Sequence, residues 1–176
     1  MDVVPTTLSV TNETAIRGQA MLDLITQYIT FADSFFGFHP LGSNPQIRFP
    51  VLFVEPKSQY ADMDSTTAKF WIKITYAIYW YVRDEKADDC AKLSSFIAEA
   101  LIKLFSNNAL GDIGTANPPS NKFRNYANPG GGLYWLEAVI KSIDWSVNYL
   151  DPEVSPALRY ERSGRMLVEI KDVILK

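Results

Sequence analysis

The chain has 176 residues, a formal net charge of −3 and a pI near 5.2, with 47% hydrophobic and 21% charged residues. Those values fit one globular domain with a real core, and a mildly acidic balance with no Lys/Arg run gives no electrostatic reason to wrap nucleic acid. The lone cysteine, Cys90, excludes an intrachain disulfide and a multi-cysteine metal site, and the 13% aromatic content is high in residue types favoured at interfaces.

Residues 1–12 are polar and Pro/Thr-rich, which predicts an extended arm. The opening MDVVPTTLSV starts acidic and lacks a basic stretch followed by an apolar one, so no secretory signal is expected. No apolar run reaches the ~20 residues that span a bilayer, and the expectation is a soluble protein without membrane contact. Helical periodicity begins near Thr14: Ile16, Met21, Leu22, Ile25, Tyr28, Ile29, Ala32, Phe35 and Phe36 fall close to one stripe. Thr11 or Asn12 reads as the N-cap and Gly37 as the stop. After PLGSNP, the segment IRFPVLFVE reads as a strand in which Pro50 marks an edge or a bulge. The polar PKSQYADMDSTT reads as an exposed loop within an elongated hairpin.

The next segment, KFWIKITYAIYWYVR (Lys69 to Arg83), alternates without a break. Phe70, Ile72, Ile74, Tyr76, Ile78, Trp80 and Val82 form one apolar row, while the other row mixes Lys69, Lys73 and Arg83 with Trp71, Tyr79 and Tyr81. At ~3.3 Å per residue such a strand runs roughly 50 Å, well beyond the usual ~5–6 residues. It outgrows a compact core, which points to an assembly part rather than an enzyme. Asp84-Glu85 then opens a second helix with Cys90, Leu93, Ile97, Ala100, Leu101, Leu104 and Phe105 on one stripe and Lys92, Glu99 and Lys103 facing water. Residues 107–132 are rich in Asn, Gly and Pro and read as a long loop. Two strands close the chain. Leu133–Tyr149 carries Trp135, Val139, Ile143, Trp145, Val147 and Tyr149 in one register, with Leu136, Ala138 and Ile140 filling the other at its start. Arg165–Leu175 alternates after the turn DPEVSP. The predicted fold is α+β, in the order α-β-β-α-β-β, with a single mixed sheet and the helices packed on one face.

Chemistry is sparse along this chain. His39, in GFHPLG, reads as a turn residue, with no Ser or Cys nucleophile motif nearby. Asp62 and Asp64 have a spacing that can share a divalent cation, but no third ligand accompanies them. Gly130–Gly132 lacks the strand before and helix after that a dinucleotide fingerprint requires. No catalytic residue, metal site or cofactor is therefore expected.

The order of elements resembles the tail terminator, or tail completion, proteins of long-tailed bacteriophages. The resemblance is carried by the amphipathic first helix, FPVLFVEPKSQ, KFWIKITYAIYWYV, DDCAKLSSFIAEALIKLF and the two closing strands. It implies a virion protein at the head–tail junction, assembled in the host cytoplasm as a homo-oligomeric ring, usually of six subunits. Such a ring caps the tail tube, stops its polymerisation and joins the head-side connector or stopper, with a contractile sheath as a possible further neighbour and DNA passing through an acidic lumen. For the subunit and partner interface, Trp71, Tyr79, Tyr81 and Trp135 are the expected exposed anchors. Two alternatives stand beside this: a neck, stopper or baseplate ring component, and a monomeric α+β domain whose aromatics line a small-ligand pocket.

Overall fold

The computed structural model describes residues 13–37, 47–64, 69–105, 126–127, 133–135, 137–149 and 160–174. The expected N-terminal arm, His39, Gly130–Gly132 and most of the 107–132 segment lie outside them. The fold is α+β: one mixed five-stranded sheet with two helices.

Helix α1 spans Glu13–Tyr28, shorter than its apolar periodicity suggested. The chain then forms a short strand, β1 (Asp33–Phe36), so Phe35 and Phe36 belong to the sheet. Asp33 and Ser34, whose side chains compete with helical backbone bonds, are poor continuations of a helix and pair with β2. The Asp33 carboxylate instead accepts the backbone N–H of Arg48 at 2.6 Å and its guanidinium at 2.8 Å. Gly37, with φ at +91°, ends this strand rather than the helix.

Strand β2 (Val51–Asp64) starts just after the cis Phe49–Pro50 peptide and runs through the segment that reads as a polar loop. Backbone pairing sustains it there. The antiparallel ladder to β3 (Lys69–Asp84) holds from Val51↔Tyr81 to Asp64↔Lys69, and its side chains need not be apolar to keep those bonds. The register slips once, between Pro56 and Ser58, beside a residue that has no N–H to donate. Asp62 and Asp64 thus lie on a strand. Helix α2 (Ala87–Phe105) follows, with Asp88 and Asp89 in its first turn where carboxylates suit the helix dipole.

Two short strands, β4 (Tyr126–Ala127) and β5 (Leu133–Trp135), pair with each other. Strand β6 (Glu137–Tyr149) and strand β7 (Tyr160–Ile174) complete the main sheet, in the order β1-β2-β3-β7-β6. Only β1–β2 is parallel; every other neighbouring pair is antiparallel. Strand β7 begins five residues before the apolar alternation did, paired to Asp84 and Arg83 at its start.

Both helices bury their stripes against one face. The core joins Met21, Leu24 and Ile25 of α1 and Ile97 and Leu101 of α2 to the even-numbered row of β3, from Ile72 to Val82. Met166, Val168 and Ile170 of β7 share it. At its centre the fully buried Trp80 donates its indole N–H to Ser94 Oγ at 3.0 Å, which satisfies the one polar atom of the ring. Trp80 lies across Gly164 and meets Trp145 edge-on, at 5.5 Å between ring centroids. A bulge between Ile140 and Ser142 explains the double apolar register of β6. Before it Ala138 and Ile140 face the helices, and after it Ile143, Trp145 and Val147 do, because one extra residue inverts the alternation.

Candidate functional site

The face of the sheet opposite the helices carries the odd-numbered row of β3. On it Trp71 pairs with Val173 and Asp62, Tyr79 with Phe53 and Arg165, and Tyr81 with Val51 and Ser163. All three aromatics are half-buried. The Lys171 ammonium sits 4.2 Å from the Trp71 ring centre, and that of Lys57 5.4 Å from Tyr79, so charge and ring quadrupole attract. Tyr81 packs edge-on against Phe53 at 5.9 Å, and Phe53 in turn stacks on Phe35 at 5.6 Å. Burial, then the Glu161 carboxylate, pushes the Tyr81 phenol above its ordinary pKa.

Trp135 does not join them. It is 0% exposed and belongs to the helix-side core, so it cannot serve as the exposed anchor that its aromatic strand suggested. The reason is local: β5 is a separate short strand that contacts β7 and α1, and its indole fills the space there. Trp71 is also set apart from the two tyrosines, by eight residues of β3 or roughly 26 Å. The helix-free face therefore offers two aromatic stations rather than one patch.

Between the stations the face is laced with ion pairs: Lys57–Glu55 at 2.6 Å, Lys141–Glu169 at 3.0 Å and Arg165–Asp144 at 2.6 Å. Exposed pairs of this kind add little stability, but they leave a nearly neutral, hydrogen-bonded surface. At its lower end the Arg83 guanidinium lies 4.1 Å from the Phe49 ring and binds the buried Glu161 carboxylate at 2.8 Å. A recess of about 210 Å³ opens between Tyr79, Tyr81, Asp144, Ser163 and Arg165. A second, of about 490 Å³, lies at the start of α2 beside Asp88, Asp89 and Tyr160.

In the first recess the Asp144 carboxylate is bound by Arg165, at 2.6 Å, rather than by the nearby Ser146 or Ser163 hydroxyl. The one thiol, Cys90, is buried, donates to the Val82 carbonyl at 3.3 Å and has its pKa pushed up by burial, which makes it a poor nucleophile. Among the described residues no three His, Cys, Asp or Glu side chains are placed to hold a metal ion. Among them, too, no helix is long and apolar enough to cross a membrane.

Sequence reasoning missed a further group of exposed apolar side chains on the sheet, beside those such as Phe96 on the helices. Tyr60 on β2 is 64% exposed, and on β6 Val139, Trp145 and Val147 are 41%, 44% and 65% exposed. Tyr60 sat in a segment read as loop, and Trp145 and Val147 looked like core because period alone does not distinguish an edge strand from a central one. Lys141 and Asp144 interrupt the apolar residues of β6, but the central strands β3 and β7 also carry charge, at Lys73 and Arg165, so composition alone did not mark β6 as the edge. No protein-family model matches the chain, and no curated protein matches its sequence.

Proposed function

We propose that this protein is a structural subunit of a bacteriophage tail, a terminator that closes into a ring at the head–tail junction. The observation that carries the reading is the sheet itself. Four of its strands are 13 to 16 residues long, far beyond what two helices can cover, and the excess surface is aromatic and neutralised by ion pairs rather than built for chemistry. A subunit of this kind joins its neighbours head to tail, and rotation closes the chain of contacts. The half-buried Trp71, Tyr79 and Tyr81 then meet a partner such as the tail tube or the connector, while DNA passes through the ring without specific contacts. A neck, stopper or baseplate ring component would use the same surface.

A second reading, a monomeric ligand-binding domain, draws on the recess beside Tyr79, Tyr81 and Arg165. Solution mass by light scattering, with negative-stain imaging of the same peak, separates the two. A ring gives a species near six times the 19.9 kDa monomer, about 120 kDa, with a central hole. A monomer at every concentration, which purified tail tubes fail to recruit, would sink the ring reading. Thermal stabilisation of such a monomer by a small polar ligand would establish the other.

A further inference from the structure

We infer that the subunits join through two particular sheet edges. The first half of strand β6 (residues 137–142) of one copy pairs antiparallel with the Glu55–Asp64 half of β2 in the next, at the level where β1 no longer lies beside β2. The inference rests on the ring reading and specifies its contact.

Strand β6 is a full-length edge of the five-stranded sheet. The opposite edge is nominally β1, but β1 has only four residues and pairs with β2 only from Val51 to Val54. Beyond that point β2 has no further strand beside it among the described residues, so its distal half is a second edge. Strand directions make the two edges complementary. Three successive antiparallel pairings, β2–β3, β3–β7 and β7–β6, leave β6 running opposite to β2. Rotating a copy about an axis along the strands preserves those directions and keeps the helices on the same side. The neighbour's β2 then arrives at β6 antiparallel, the stronger of the two ladder types.

The side chains fit the same arrangement. Helix α1 packs over β1 and β2, and α2 over β3 and β7, which leaves the helix side of β6 thinly covered, with Trp145 and Val147 exposed there. Thr14, at the start of α1, donates to Gln59 on the distal half of β2 at 2.6 Å, so α1 begins directly over this edge strand. A neighbour docked by that edge brings its α1 beside the bare Trp145–Val147 side of β6. On the other face, Tyr60 of β2 comes next to the row that holds Val139. A two-fold contact of β6 with itself would cover one edge and leave the other open; head-to-tail pairing covers both. Each edge also carries a bulge and a lysine, at Lys57 and Lys141, devices that blunt an edge against indiscriminate pairing and that the subunit contact has to accommodate.

The test is cross-linking between singly substituted chains. Val139→Cys and Tyr60→Cys proteins are prepared separately and checked by far-UV circular dichroism, with the wild-type chain and its buried Cys90 as background. They are then treated with a short bismaleimide, alone and mixed. The expected result is covalent dimer several-fold more abundant in the mixture than in either protein alone. Dimer from Val139→Cys alone would overturn the inference in favour of a two-fold contact. A ring-sized species with no cross-link in the mixture would overturn the edge assignment while leaving the ring reading intact. A monomer at every concentration would remove the pairing, and if tail tubes also fail to recruit it the ring reading falls as well.

Discussion

Gly164 shows how tightly single residues are held in this core. It lies on β7 between Trp80 of β3 and Trp145 of β6, and a Cβ there would come within 1.9 Å of the Trp80 ring. The ring cannot swing aside, because its N–H is bonded to Ser94 and its edge is packed on Trp145. Gly164→Ala is therefore expected to destabilise the fold by about 1–3 kcal/mol, the usual cost of overpacking. Chemical denaturation measures this as a lower midpoint with an unchanged slope; a variant as stable as the wild type would show that Trp80 has room the packing denies. Gly18 is the second such site, since an added Cβ would meet the Phe36 ring at 2.1 Å and the Tyr76 ring at 2.9 Å, where α1 packs on the sheet.

At the scale of elements, the β6 bulge decides which side chains reach the core. Deleting Lys141 would remove the bulge and leave a regular ladder with β7 in which Ile143, Trp145 and Val147 keep the helix side, because Ile140 and Ser142 already pair with consecutive residues, Val168 and Leu167. The expected outcome is that the Trp80–Trp145 pair and its exciton signal in circular dichroism persist, with only a modest change in stability; loss of the signal would mean that the strand beyond the bulge had slipped its register. The same bulge shows what the sequence could and could not convey. The long alternation of β3 was legible residue by residue, because both of its rows lie in regular register between two partners. The buried stripe of α2 was legible at Cys90, Ile97, Leu101 and Phe105, although Leu93 proved exposed and Ser94 took its place through its bond to Trp80. β1 was not legible, since four residues following a helical stripe carry no period of their own and exist as a strand only by pairing with β2. The distal half of β2 was missed for the converse reason: its side chains are polar, and its strand character comes from a backbone ladder that composition does not encode.

For the whole molecule, the sheet presents two kinds of surface, and they should fail separately. Its edges hold Tyr60, Val139, Trp145 and Val147, while its helix-free face holds Trp71, Tyr79 and Tyr81 half-sunk among ion pairs. If the edges join subunits and the face meets the tube, Val147→Asp places a charge in the subunit contact, opposite Arg162 across the strand pair, where desolvating even a paired charge is costly. At 65% exposure the same change leaves the isolated chain almost as stable as before. The light-scattering mass should then fall to that of the monomer with little change in melting temperature. Tyr79→Ala should do the opposite. It removes a ring from the face and one cation–π contact with the Lys57 side chain, worth about 0.5–1 kcal/mol at an exposed site, but it leaves the backbone of both edges unchanged. The ring should persist, and only co-sedimentation with tail tubes should weaken, by the 2 kcal/mol or more typical of a central interface aromatic, about thirtyfold in affinity. Should Tyr79→Ala dissolve the ring while Val147→Asp leaves it whole, the roles of face and edge would be exchanged. Subunits would then stack through their aromatic faces, and the long strands would serve as the platform for that stacking rather than as segments of a continuous sheet.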